Sequence, residues 1–255
     1  MSMSHKLRHV IAALALFVVT PPMTASADII VGGANVFEVT SSTGFNGSID
    51  WSQLGPAFTV FLVPPTVVSN LGVTAVVSST TTTVNPPSEG GGTVTVQHPL
   101  ERRDQNNGWA GNFAPGTPLL WSPDLSFIDV TFSSPVFGAG ATMQPNFYGA
   151  FAFGVQAYNA SNQLLGTVVE DHGNSTSAAD GSAPFLGVAT LSSVPDISRV
   201  RFSVVDSIAL GPLALSTVPI PAAPVPGPIV GTGLPGLILA SGGLLGWWRR
   251  RQKSA

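Results

Sequence analysis

The chain has no cysteine, which removes disulfides, thiolate zinc sites and thiol nucleophiles together. Charge is scarce too: 9% of its 255 residues are Asp, Glu, Lys or Arg, against 44% hydrophobic residues. Long solvent-exposed helices need charged outer faces. With 28 glycines and 22 prolines to interrupt them, the composition favours short strands joined by turns. No segment repeats at a fixed period, which disfavours propellers and solenoids. Past Asp28 there is no H-x-x-x-H, G-x-S-x-G or D-x-D-x-D-G pattern, so the common zinc-hydrolase, serine-hydrolase and calcium-loop signatures are missing.

Basic residues are also lacking where they would matter for nucleic acid. All 13 acidic residues fall between Asp28 and Asp206, and the basic residues there are Arg102, Arg103, Arg199 and Arg201. That stretch therefore carries 4 minus 13, or −9, which makes nucleic acid an unsuitable partner.

Cationic residues sit at the two ends instead, each beside an apolar run. Lys6 and Arg8 precede the apolar stretch Val10 to Val19, and Ala25-Ser26-Ala27 supplies small residues behind it. This is the order of a secretory signal peptide over residues 1–27, with Ala25 and Ala27 at the cleavage site and Asp28 as the mature N-terminus. At the other end, Val225-Pro226-Gly227-Pro228 forbids a continuous helix, because proline fixes its own φ and biases the preceding residue to extended backbone. Residues 229–248, Ile229 to Trp248, carry no charge; twenty helical residues at about 1.5 Å each span roughly 30 Å, a bilayer's hydrocarbon core. Trp247 and Trp248 suit the interface, and Arg249, Arg250, Arg251 and Lys253 within the tail 249–255 suit the cytoplasmic side.

The proline motif, glycine-rich apolar span and arginine run together resemble the PEP-CTERM sorting signal of exported bacterial proteins. Here the motif lacks the family's usual central glutamate. The resemblance implies an inner-membrane intermediate whose body is released or transferred outward when an exosortase-type membrane protease cuts near the motif. An unprocessed anchor is the other reading of the segment, but Pro235 and six glycines lower its hydrophobicity and helix propensity.

Between these ends, residues 28–217 show strand periodicity, followed by a Pro/Ala-rich spacer at 218–228. Ile128, Val130 and Phe132 alternate with Asp129 and Thr131. Phe151, Phe153, Val155 and Ala157 share a face, and Val200, Phe202 and Val204 alternate with Arg201 and Ser203. Further strands are expected at 58–63, 73–77, 93–97, 136–143, 164–169, 185–190 and 213–216. Turn chemistry separates them at Asn107-Gly108, Pro115-Gly116, Asn159 to Asn162 and Asp180-Gly181. The expected fold is mainly β, an antiparallel β-sandwich of jelly-roll type followed by one C-terminal transmembrane helix. The low-complexity stretch Ser78 to Gly92 is expected as a mobile loop or hairpin tip. Gly111 to Gly116 with Leu119-Leu120, and Phe185-Leu186-Gly187-Val188 before Ile197 to Val200, are similar to the sandwich domains that accompany such tails. These are marks of fold, not of a site.

Few residues offer chemistry. His98 lies near Glu101 and Asp104, and His172 follows Glu170 and Asp171, but neither set has the spacing of a known site, and both are expected in solvated loops. Trp51, Trp109, Trp121, Tyr148 and Tyr158 offer rings for sugar stacking; in a sandwich such rings more often fill the core. Trp109 stands apart, because the turns on either side favour an exposed indole, which makes it the candidate for a sugar contact. The reading is an exported, non-catalytic protein with no cofactor and no metal. Its partners are the inner membrane, an exosortase-type protease and, at its destination, exopolysaccharide. A carbohydrate-binding module and a periplasmic hydrolase are the alternatives.

Overall fold

The computed structural model describes residues 29–30, 35–79, 81–84, 94–123 and 127–221. The signal-peptide site at Ala25, Ala27 and Asp28, the Val225 to Pro228 motif, the span from Ile229 to Trp247 and Trp248, and Arg249 to Arg251 lie outside these residues. Among the described residues no helix is long and apolar enough to cross a membrane.

Strands dominate. In chain order they are β1 (Ile29–Ile30), β2 (Val36–Val39), β3 (Gly47–Ile49), β4 (Val60–Phe61), β5 (Thr66–Val68) and β6 (Thr74–Ser79). There follow β7 (Thr81–Val84), β8 (Val94–Gln97), β9 (Leu100–Gln105), β10 (Gly108–Trp109), β11 (Pro118–Ser122) and β12 (Phe127–Val136). The last are β13 (Gly138–Pro145), β14 (Gly149–Tyr158), β15 (Leu164–Ser175), β16 (Phe185–Thr190), β17 (Ile197–Val204) and β18 (Ile208–Ser216). A first sheet has the order β1-β15-β14-β17-β12-β6-β5. The second has the order β10-β9-β11-β18-β13-β16-β2, with β3 added on β18 and β4 on β9; β7 and β8 form a separate ribbon. Pairing is antiparallel except for the short β10 on β9.

The period-2 pattern is what lets the sheets face each other. Val130, Val155, Phe202 and Val77 point inward from the first sheet and meet Leu120, Met143, Leu186 and Leu210 from the second in one apolar cluster. This is the arrangement of a β-sandwich. Side chains such as Phe202 and Leu210, with no exposed surface, each contribute about 1.5–3 kcal/mol by leaving water. On the far face of the second sheet, Trp109, Phe113, Leu119, Ala183 and Ala209 build a smaller cluster with Trp121 against it. One face of that sheet thus lines the main core and the other is roofed by the chain itself.

Several expectations shift. Of the strand expected over 58–63 only Val60–Phe61 forms, and Leu62 and Val63 are exposed. The Ser78 to Gly92 stretch supplies the end of β6 and then β7, which pairs with β8 as one arm of a hairpin; Thr81 to Thr83 are strand, and the connection lies outside the described residues. The body does not stop at residue 217. Ile220 is buried, close enough to Gly138 that a Cβ there would stand 2.8 Å from its Cδ1, so the first residues of the expected spacer pack on the sandwich.

Candidate functional site

The region around Trp109 begins at a tight turn. Asn106 (φ +68) and Gly108 (φ +91) both take left-handed backbone, and Asn106 N–H donates to the Trp109 carbonyl at 2.8 Å. A Cβ on Gly108 would stand 2.8 Å from Arg103 Cδ and 2.9 Å from the Phe58 ring, so the position needs glycine for space as well as for φ. The turn expected at Asn107-Gly108 is present. The exposed indole is not: Trp109 is only 7% exposed. The turn folds the segment back onto the second sheet, where the ring packs with Phe113 and Leu119 instead of projecting.

A buried polar hub holds this roof down. Asn112 N–H donates to Gln144 Oε1 at 2.8 Å, and the Asn112 amide donates to Thr176 Oγ1 at 3.0 Å and Ser182 Oγ at 2.8 Å. Gln144 in turn bonds Ser175 Oγ and the Thr176 carbonyl. Buried polar groups this thoroughly partnered fix one arrangement of loops. The Gly111 to Gly116 stretch, read from sequence as a fold mark, is this anchor.

Trp109 borders a cavity of about 300 Å³ that lies between Gly108-Trp109-Ala110 and the Pro145 to Tyr148 turn joining β13 to β14. Tyr148, not Trp109, is the exposed ring: it is 60% exposed, and its hydroxyl donates to the Ala110 carbonyl at 3.3 Å. No charged side chain lines the cavity. An aromatic ring, backbone groups and the exposed Asn146, without charge, suit an uncharged polar ligand with apolar faces. Tyr148 sits in a turn signal of its own, Asn146-Phe147-Tyr148-Gly149, comparable to the one beside Trp109, and Gly149 takes φ +117 there.

The other rings have structural surroundings. Trp51 is fully buried and donates from Nε1 to the Gly211 carbonyl at 2.7 Å. Trp121 lies 4.3 Å under the Arg103 guanidinium, and Tyr158 lies 3.7 Å under that of Arg199.

Of the two histidines expected in loops, His98 lies in the connection between β8 and β9, whereas His172 is on a strand. Glu101 and Asp104 belong to strand β9, not a loop, and their carboxylates are taken by Arg103 at 2.9 Å and Arg102 at 2.6 Å. His172 is on strand β15 with its side chain 69% exposed, 2.7 Å from Asp171 and 3.5 Å from Glu170. It lies outside the Trp109 cavity. Among the described residues no group of three or more acidic or histidine side chains is placed to hold a metal ion.

No protein-family model matches the chain, and no curated protein matches it. Among solved structures it is similar to CsCBM6-3 from Clostridium stercorarium in complex with cellobiose, at 12% identity and a TM-score of 0.21, over 73% of this chain and 99% of that one. It is also similar to a family 6 carbohydrate-binding module whose binding subsites were dissected by crystallography and calorimetry. That match has 12% identity and a TM-score of 0.21, over 63% of this chain and 95% of the other. Overlap this small assigns neither fold nor ligand.

Proposed function

We propose that the protein is a non-catalytic exported β-sandwich that is held in the inner membrane by its C-terminal span and delivered to the cell surface or exopolysaccharide matrix after an exosortase-type protease cuts near Val225 to Pro228. The single observation that carries this reading is the order of parts in the tail: proline motif, uncharged Ile229 to Trp248, then Arg249, Arg250 and Arg251. The sandwich is of the jelly-roll kind in this reading, since the chain alternates between the two sheets from β12 through β14 and again from β15 through β18. Mass spectrometry of both ends of the protein from its native host tests it. The expected ends are Asp28 and a C-terminus near Pro228; recovery of every molecule with Arg249 to Arg251 still attached reduces the tail to a plain anchor.

A second reading, a carbohydrate-binding body, is supported by the uncharged cavity between Trp109 and Tyr148. In this reading Tyr148 offers the stacking face, and Trp109 is the wall behind it. Tyr148→Ala should abolish binding of neutral oligosaccharides in calorimetric titration; unchanged binding, or none by the unmodified protein, removes this reading.

A further inference from the structure

The outer face of the first sheet contrasts with that of the second. Val68, Val76 and Val169 on it are exposed, whereas the second sheet is roofed by the Trp109 cluster. Across its middle the registers line up a polar row on four adjacent strands: Thr167 opposite Gln156, Gln156 opposite Arg201, and Arg201 opposite Asp129. One step along β17, Arg199 stands opposite Tyr158.

The charges in this row do not cancel. Asp129 accepts from Arg201 Nε at 2.9 Å and Nη2 at 2.7 Å, and from Arg199 Nη1 at 3.0 Å. Asn162 Oδ1 accepts from Arg199 Nη2 at 2.9 Å and Nε at 3.2 Å, which leaves one N–H on each of Nη1 and Nη2. Two guanidiniums thus share one carboxylate, leaving a local excess of one positive charge in a body of net −9. Arg201 Nη1 makes no hydrogen bond among the described residues, and its side chain is 30% exposed. Both guanidiniums lie over rings, Arg199 at 3.7 Å from Tyr158 and Arg201 at 3.9 Å from Phe127, and with the bonds to Asp129 these contacts position them before any ligand arrives.

Beside the row runs a shallow groove of about 200 Å³, floored by Gly154 and bordered by Val169, Ser203 and Val205. A Cβ at Gly154 would meet the Val168 carbonyl at 3.1 Å and Val169 Cγ2 at 3.4 Å, so a side chain there would crowd the floor. Gly154 and Ser203 are opposed one step from the Gln156 and Arg201 pair, which puts the apolar groove and the cationic row about 7 Å apart, the spacing of alternate residues.

We propose that this face binds an acidic polysaccharide, one bearing uronate carboxylates, with a sugar ring's apolar face in the Gly154 groove and a carboxylate on Arg201 and Arg199. A guanidinium matches a carboxylate in planar geometry, and the excess charge selects an anion. The body's net −9 does not forbid this, because charges farther than about 8 Å are screened at physiological salt. The proposal goes beyond the carbohydrate reading of the Trp109 cavity: it uses the opposite sheet and a charged ligand, and it stands or falls apart from the sorting tail.

The test is affinity electrophoresis of the full chain in detergent through gels containing polygalacturonate or, as the neutral counterpart, dextran. Polygalacturonate should retard the protein and dextran should not, and the retardation should weaken as salt rises. Arg201→Gln should lower the affinity by about tenfold, the loss of one charge-assisted contact. Ser203→Trp, which fills the groove and leaves the ion pairs intact, should do the same; Tyr148→Ala should change nothing. A thermal unfolding curve for each variant, with Arg201→Lys as the charge-preserving control, separates lost binding from lost folding. Equal retardation by both polymers, no retardation by either, or full retention of binding by folded Arg201→Gln and Ser203→Trp overturns the proposal.

Discussion

Asn112 and Gln144 hold each other through a reciprocal pair of bonds. The Asn112 backbone N–H donates to Gln144 Oε1 at 2.8 Å, and Gln144 Nε2 donates back to Asn112 Oδ1 at 3.2 Å. Because Asn112 also bonds Thr176 and Ser182, one side chain ties the roof segment, strand β13 and the loop before β16 together. Asn112→Ala leaves buried donors and acceptors unpaired and should cost about 2–3 kcal/mol. A urea titration monitored by tryptophan fluorescence should show the lower midpoint.

Ile220 extends the folded body past the expected boundary. Full burial of one isoleucine contributes about 1.5–3 kcal/mol, and the Ser216 hydroxyl donates to the Val218 carbonyl at 2.7 Å. A chain ending at Thr217 should therefore melt below one ending at Pro221, and differential scanning calorimetry of the two would show it. Ile220→Ala in the longer chain should reproduce most of the difference.

Asp129 carries the charge balance of the first sheet's outer face. The hydrogen bond to the carboxylate holds the Arg201 guanidinium above its ordinary value, and with the carboxylate gone two partly exposed guanidiniums are left without their shared counter-ion. Asp129→Asn should destabilise the protein by about 1–2 kcal/mol, less than a fully buried pair because solvent and salt screen it. Denaturation at low and high salt should show the gap narrowing as salt rises.

Asp180 gives a pH signature. Bonds from the Ser182 hydroxyl at 2.6 Å and backbone N–H at 3.0 Å hold its carboxyl below the usual 3.8. A folded value below the unfolded one means the stabilisation is fully present above the unfolded value and is lost as pH falls through the folded one. The stability difference between the native chain and Asp180→Asn should therefore be constant near neutrality and shrink below about pH 4. Because the carboxylate is exposed, the effect is small and needs paired denaturation curves.

If the tail sorts as proposed, replacing Pro226 and Pro228 with alanine, which removes the φ restriction ahead of the uncharged run and leaves the run itself unchanged, should leave an anchored, uncut protein. Neutralising Arg249, Arg250 and Arg251 should weaken retention and processing together. Immunoblots of membrane and medium fractions separate the two outcomes.

Strands β12, β14, β16 and β17 were legible in the sequence because alternation is a local property: each side chain's face follows from its neighbour's. Strand β9, Leu-Glu-Arg-Arg-Asp-Gln, was not legible. Its Arg102 is buried because Nε donates to the Trp51 carbonyl, a partner 51 residues away that only the folded chain supplies, while Nη2 bonds the nearby Asp104. The short strands β3, β5 and β11 were missed for a related reason: three to five residues hold too few alternations to stand out, and they exist as partners of β18 and β6.

What the sequence determined by itself was local or compositional: a β class, the turn at Asn107-Gly108, the absence of thiol chemistry, the charge asymmetry, and the order of parts in the tail on which the sorting proposal rests. Tertiary structure decided everything that depends on what lies across a sheet. It buried Trp109 and exposed Tyr148, because whether an aromatic in a turn meets water depends on the surface onto which the turn folds. It placed Arg199 and Arg201 on one carboxylate 70 and 72 residues away, because strand register, which no short stretch of chain encodes alone, sets which side chains stand opposite each other.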